Sequence, residues 1–142
     1  LSASVAVDGK PHASIGKGLL VLAGWESNES PSDLTYIAQK VSKMRIFDDI
    51  DGLMNRSVMD MEGDILVISQ FTLHASTKKG NRPSYYKSAP GLEAEPLYEA
   101  FLDELWHTCN RPVKSGKFGA DMTITLTNDG PVTITIDSKN KE

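Results

Sequence analysis

The sequence is short of cysteine, histidine clusters and long apolar runs, and each shortage removes a class of protein. Cys109 is the sole cysteine, so no internal disulfide can form, which suits a reducing compartment such as the cytoplasm. At the end of an apolar helical stretch, a lone cysteine reads as a small buried hydrophobe rather than a nucleophile. His12, His74 and His107 are scattered without metal-ligand spacing, so no metal site is expected, and each reads as an exposed or locally satisfied side chain. No stretch approaches the roughly 18 apolar residues of a membrane span, and no charged-then-apolar leader opens the chain. The G-x-S-x-G elbow, the phosphate-binding loop and the dinucleotide fingerprint are all missing, and nothing calls for a cofactor.

Acidic residues are also absent from two long segments. Between Ile65 and Leu92 there is no Asp or Glu, while Lys78, Lys79, Arg82 and Lys87 all fall there. Between Leu105 and Ala120 the same holds, with Arg111, Lys114 and Lys117. The net charge of −4 argues against a generic nucleic-acid binder. The segregation allows either a cationic face that holds a few phosphates or a solvated loop of chance composition.

The 142 residues fit one domain, with a hydrophobic fraction of 39% that is ordinary for a globular chain. The chain starts at Leu1 rather than Met, so a trimmed natural N-terminus is expected. Ala3 to Val7 has β character and runs into the hairpin signal Asp8-Gly9. Leu19 to Trp25 reads as a buried strand. Ser30-Pro31-Ser32-Asp33 announces a helix, followed by Leu34, Ile37, Ala38, Val41 and Met44 at helical spacing. Phe47 to Gly63 is polar and irregular. Asp64 to Leu73 is the most apolar segment and reads as a central strand. His74 to Gly91 reads as a long loop of the kind that usually carries function. Glu93 to Cys109 reads as a second helix. Met122, Ile124 and Leu126 alternate with threonines, as Val132, Ile134 and Ile136 do after Asn128-Asp129-Gly130-Pro131, which predicts a pair of half-buried strands. The expected architecture is α+β, with antiparallel strands covered by two helices.

Two features stand out chemically. Ser69, Gln70 and Thr72 interrupt LVISQFTL at the end of the central strand, where buried polar groups need partners. They either bond a neighbouring backbone or face a pocket beside the following loop, where Gln70 can donate to a carbonyl and Thr72 can donate or act as a weak nucleophile. Gly130-Pro131 sits between two strand patterns and is either an ordinary turn or a special backbone element.

ASVAVDG, IGKGLLVLAG, SQFTL, KGNRPSY, GKFGADM and NDGPVT occur in this order along essentially the whole chain. With these motifs the sequence resembles the D-aminoacyl-tRNA deacylases, formerly called D-tyrosyl-tRNA deacylases. The resemblance implies a cytoplasmic homodimer with a β-barrel-like α+β fold and an active site at the dimer interface. It implies that Ser69, Gln70, Phe71 and Thr72 line one side of the site. Gly130 and Pro131 would enter from the partner subunit, joined by a cis bond, their carbonyls holding the substrate amino group and leaving no room for an L side chain. Phe118 and Met122, with Ala94 near them, would lie beside the terminal adenosine of tRNA, and Lys78, Lys79 and Arg82 would contact its backbone. The implied reaction is hydrolysis of D-aminoacyl-tRNA, and of glycine mischarged on alanine tRNA, with tRNA and not DNA as partner. Family members also begin with a strand carrying a basic residue, most of which precedes Leu1.

Overall fold

A computed structural model describes residues 1–141. The hairpin forms where Asp8-Gly9 predicts it: β1 (Ser2–Val7) and β2 (Lys10–Ile15) pair antiparallel about a turn with φ of 50° at Asp8 and 79° at Gly9. Here the glycine is required, because that conformation is costly for an L side chain. β3 (Gly18–Ala23) follows, then α1 (Pro31–Lys43). The Asp33 carboxylate accepts the Ser30 backbone N–H and the Ser30 hydroxyl, both at 2.9 Å, closing the first turn of α1. These hydrogen bonds, the Ser30 N–H first among them, hold the Asp33 carboxyl at about 2, well below its ordinary 3.8.

The irregular segment that follows contains two short paired strands, β4 (Phe47–Asp48) and β5 (Met54–Arg56). The central strand is β6 (Asp64–Ser69), and α2 spans Gly91–Cys109. Two further strands complete the set, β7 (Lys114–Ser115) and β8 (Met122–Thr127).

The strands are arranged as β2-β1-β8, β3-β6-β7 and β4-β5. This confirms a mixed α+β fold with two helices and corrects two finer expectations. The described strands form separate sheets rather than a closed barrel. Nor are they all antiparallel, since β6 runs parallel to both β3 and β7. The long connection through α1 makes the parallel pairing possible, because a parallel neighbour needs a crossover of a dozen or more residues.

β6 explains its own composition. Ile65 and Val67 join a core with Trp25, Leu34, Ala38, Tyr98, Phe101 and Leu105, while Leu66 and Ile68 join a second core with Ala3, Val5 and Ile15. A strand covered on both faces reads as a continuous apolar run. Tyr98 of α2 donates its hydroxyl to the Val67 carbonyl at 3.0 Å, pinning the helix to the strand, and burial raises its phenol above the ordinary range. Trp25 packs edge-on against both Tyr98 and Phe101, with centroids 5.7 and 6.1 Å apart.

The predicted last strand does not form: residues 132–137 are irregular, and Ile134 is exposed. Alternation shows that a segment can present one apolar face, but a strand also needs a ladder partner, and none pairs with it among the described residues.

Candidate active site

The parallel register fixes where the polar interruption falls. Ala23 stands opposite Ser69, so β3 and β6 end at the same edge of the sheet. On the other side of β6, Val67 faces Ser115, and β7 leads on to Gly116 and Phe118. Carboxyl ends of parallel strands, where the chains diverge, are the usual receiving edge for ligands in such sheets.

β6 stops at Ser69 rather than continuing to Leu73. Gln70 still donates its backbone N–H to the Ala23 carbonyl at 2.8 Å, and the chain then coils into a 3₁₀ turn over Phe71–His74. The coiling replaces strand alternation, leaving both Phe71 and Leu73 54% exposed, and sends the Gln70 and Thr72 side chains toward each other. The Gln70 amide donates to the Thr72 hydroxyl, and among the described residues that hydroxyl makes no other hydrogen bond. No histidine or carboxylate is therefore bonded to Thr72 to activate it.

The turn is held from two directions that the sequence did not reveal. Ser88 donates its hydroxyl to the Phe71 carbonyl at 2.9 Å, and the Tyr85 ring meets Phe71 edge-on at 5.0 Å. From the β3 side, Glu26 Oε1 lies 3.5 Å from His74 Nδ1. Glu26 is also 3.7 Å from Lys139 Nζ, which reaches Glu29 at 3.5 Å. Burial raises the Glu29 carboxyl above its ordinary value, and its Oε2 has no hydrogen-bond partner among the described residues.

The loop from Ala75 to Pro90 is more ordered than its composition suggests. Ser76 and Ser84 pair through two backbone hydrogen bonds of 2.7 and 2.8 Å, closing a neck below the tip that carries Lys78, Lys79 and Arg82. All three cations are exposed. Phe118 is partly buried and packs on Tyr98 with centroids 5.8 Å apart. Ala94 is buried in the same core, 7% exposed. Met122 instead packs on the second core. At the end of β8, Gly130–Pro131 is an exposed cis peptide with Gly130 at φ 115°, spanned by a hydrogen bond from Asn128 Nδ2 to Thr133 Oγ1 at 3.2 Å. No hydrogen bond joins Gly130 or Pro131 to Ser69–Thr72 among the described residues.

An open groove of about 710 Å³ lies over β1, β2, β7 and β8, with Val5, Ala13, Lys114, Ser115 and Thr125 in its lining. None of the predicted site residues borders it. No group of three or more metal-binding side chains occurs among the described residues, and no described helix is long and apolar enough to cross a membrane.

The profile of the family described as D-Tyr-tRNA(Tyr) deacylase matches residues 1–137. The chain belongs to the D-Tyr-tRNA(Tyr) deacylase family. Among its relatives, the D-aminoacyl-tRNA deacylase of Parabacteroides distasonis is 56% identical over 140 residues, which cover 99% of this chain and 93% of the relative. That of Dechloromonas aromatica is 53% identical over 141 residues, covering 99% and 94%. A solved structure described as c-Myc DNA Unwinding Element Binding Protein is 40% identical, with a TM-score of 0.89 over 94% of this chain and 90% of that one. The fold is shared by a probable eukaryotic D-amino acid tRNA deacylase, with a TM-score of 0.76 over 92% and 90% at 18% identity. The deacylase family match includes the 3₁₀ turn after β6, the Ala75–Pro90 loop and the Gly130–Pro131 bend.

Proposed function

We propose that this chain hydrolyses the ester between a D-amino acid and the terminal ribose of tRNA, and spares the L-aminoacyl ester. One observation carries the reading. The family match runs unbroken over residues 1–137, so it takes in both the Ser69–Thr72 turn and Gly130–Pro131.

Chemically, water adds to the ester carbonyl carbon, the bond to the ribose oxygen breaks, and that oxygen leaves with a proton. The amino acid departs as its carboxylate, and the second proton of the water is released to solvent. An aminoacyl ester is activated enough that positioned donors for the developing oxyanion are the main requirement. In this reading Ser69, Gln70, Phe71 and Thr72 form the wall and the donors, with backbone N–H groups of the turn and the ribose 2′-hydroxyl taking the roles that a triad fills elsewhere. The unactivated Thr72 hydroxyl supports that division.

The finer assignments belong to the same proposal. Two copies assemble so that Gly130 and Pro131 of one face the turn of the other, reading chirality by excluding an L side chain. Glycine, with no side chain to exclude, is also removed when mischarged on alanine tRNA. Phe118 and Met122, with Ala94 near them, flank the terminal adenosine. Lys78, Lys79 and Arg82 at the loop tip meet the tRNA backbone, as an exposed cationic tip free of acids favours. Translation in the cytoplasm is the setting this chemistry serves, with no cofactor and no DNA partner.

The test is to incubate the protein with D-tyrosyl-tRNA and L-tyrosyl-tRNA and follow release of free tRNA. Release from the D ester alone supports the reading, and persistence of both esters overturns it.

A further inference from the structure

The Phe71–His74 turn is only four residues long and half its side chains point to solvent, so it cannot hold its own shape by packing. What holds it comes from outside. Gly24 lets the chain leaving β3 pass close beneath it: a Cβ there would sit 2.8 Å from the Gln70 carbonyl oxygen and 3.2 Å from the His74 ring. Two residues on, Glu26 pairs through its backbone with Ser88, and the neighbouring Ala89 donates its N–H to the Trp25 carbonyl at 2.9 Å. Ala89 and Trp25 are each only 7% exposed, so this junction is anchored in the core. From it, two side chains reach the turn at opposite ends: Ser88 Oγ to the Phe71 carbonyl at 2.9 Å, and Glu26 Oε1 to within 3.5 Å of His74 Nδ1.

We propose that Ser88 is a positioning residue for the deacylation assigned above, fixing the Phe71 peptide from a core-anchored junction, with the Glu26–His74 contact as the second fastening. The inference rests on that functional reading but concerns residues outside the Ser69–Thr72 motif. Ser88 touches no reacting atom. It sets the orientation of the peptide that joins Phe71 to Thr72, and so the direction in which the Thr72 N–H points. Small misplacements of such groups are expensive in rate and cheap in binding.

The experiment compares the wild-type chain with Ser88→Ala and Ser88→Thr, measuring kcat and KM for D-tyrosyl-tRNA together with amide exchange over residues 70–75. Ser88→Ala is expected to lower kcat about tenfold with KM within about twofold, and to speed exchange in the turn. Ser88→Thr, which keeps the hydroxyl, is expected to restore most of both. An unchanged kcat in Ser88→Ala, or a loss that Ser88→Thr shares in full, overturns the proposal. Should the wild-type chain leave the D ester intact, the functional reading fails on its own. Amide exchange then decides the fastening, and an unchanged rate over 70–75 in Ser88→Ala overturns it.

Discussion

The Gln70 side-chain amide donates a hydrogen bond to the Thr72 hydroxyl, two residues further along the turn that ends the central strand. The bond uses the Thr72 oxygen as an acceptor, and among the described residues no histidine or carboxylate is hydrogen-bonded to that hydroxyl. A hydroxyl in that state is a weak nucleophile at neutral pH. Thr72→Ala is therefore expected to keep substantial deacylase activity, with kcat falling by less than about tenfold, the loss tracing to a freed Gln70 side chain. Steady-state kinetics on D-tyrosyl-tRNA check this. A loss beyond about a thousandfold, with fold and tRNA binding retained, would make Thr72 the nucleophile.

Gly24 marks the closest approach between the end of β3 and the turn. The Cβ of Gly24→Ala would meet the Gln70 carbonyl oxygen at 2.8 Å, a backbone atom that is itself hydrogen-bonded from Leu73. Neither side can yield cheaply, so overpacking of about 1–3 kcal/mol is expected. Because the strain falls on the Gln70 peptide, kcat is expected to drop along with the melting temperature. Circular dichroism melting beside initial rates on the same preparation tests both. A variant with wild-type stability and wild-type kcat would show that the approach is looser than described.

Asp33 gives a pH dependence whose sign is fixed. Its carboxyl titrates at about 2 in the folded chain, against an ordinary value of 3.8, because it accepts hydrogen bonds from Ser30. A depressed folded value adds stability that is fully present above pH 3.8 and is lost as pH falls toward 2. Asp33→Ala is expected to cost about 1 kcal/mol at pH 7, typical of a lost helix-start interaction. The gap between wild type and variant should narrow steadily between about pH 4 and pH 2. Thermal unfolding across that range checks the prediction, and a gap that stays constant or widens there contradicts it.

Local signals in the sequence carried much of the fold. Asp8-Gly9 located the hairpin, Ser30-Pro31 located the start of α1, and the run from Ile65 to Ile68 located the strand buried on both faces. These signals depend on residues near one another in the chain. Parallel pairing of β3 with β6 does not, since Gly18 and Asp64 are partners across the long connection that contains α1. The end of β6 was also misplaced. Phe71 and Leu73 continue an apolar pattern, yet the chain coils at Gln70 and exposes both. Conversely, Val132 to Ile136 alternates well and forms no strand, because alternation says nothing about a ladder partner.

For the site, Ser69–Thr72 was visible as a polar break, and Gly130-Pro131 as a backbone oddity. The residues that hold the turn were not. Ser88 and Phe71 are 17 positions apart across a loop, and nothing in the composition of that loop singles out one serine among Ser76, Ser84 and Ser88. His74 read as an exposed or locally satisfied side chain; its ring is half-buried, with Nδ1 3.5 Å from Glu26 Oε1. That contact still ties the turn to the end of β3.

Chiral selection is read out by kcat/KM for D-tyrosyl-tRNA and L-tyrosyl-tRNA on one preparation of the protein. Hydrolysis of the D ester is expected, with a preference of about a hundredfold or more over the L ester. Equal rates for the two esters, or no hydrolysis of either, would contradict it.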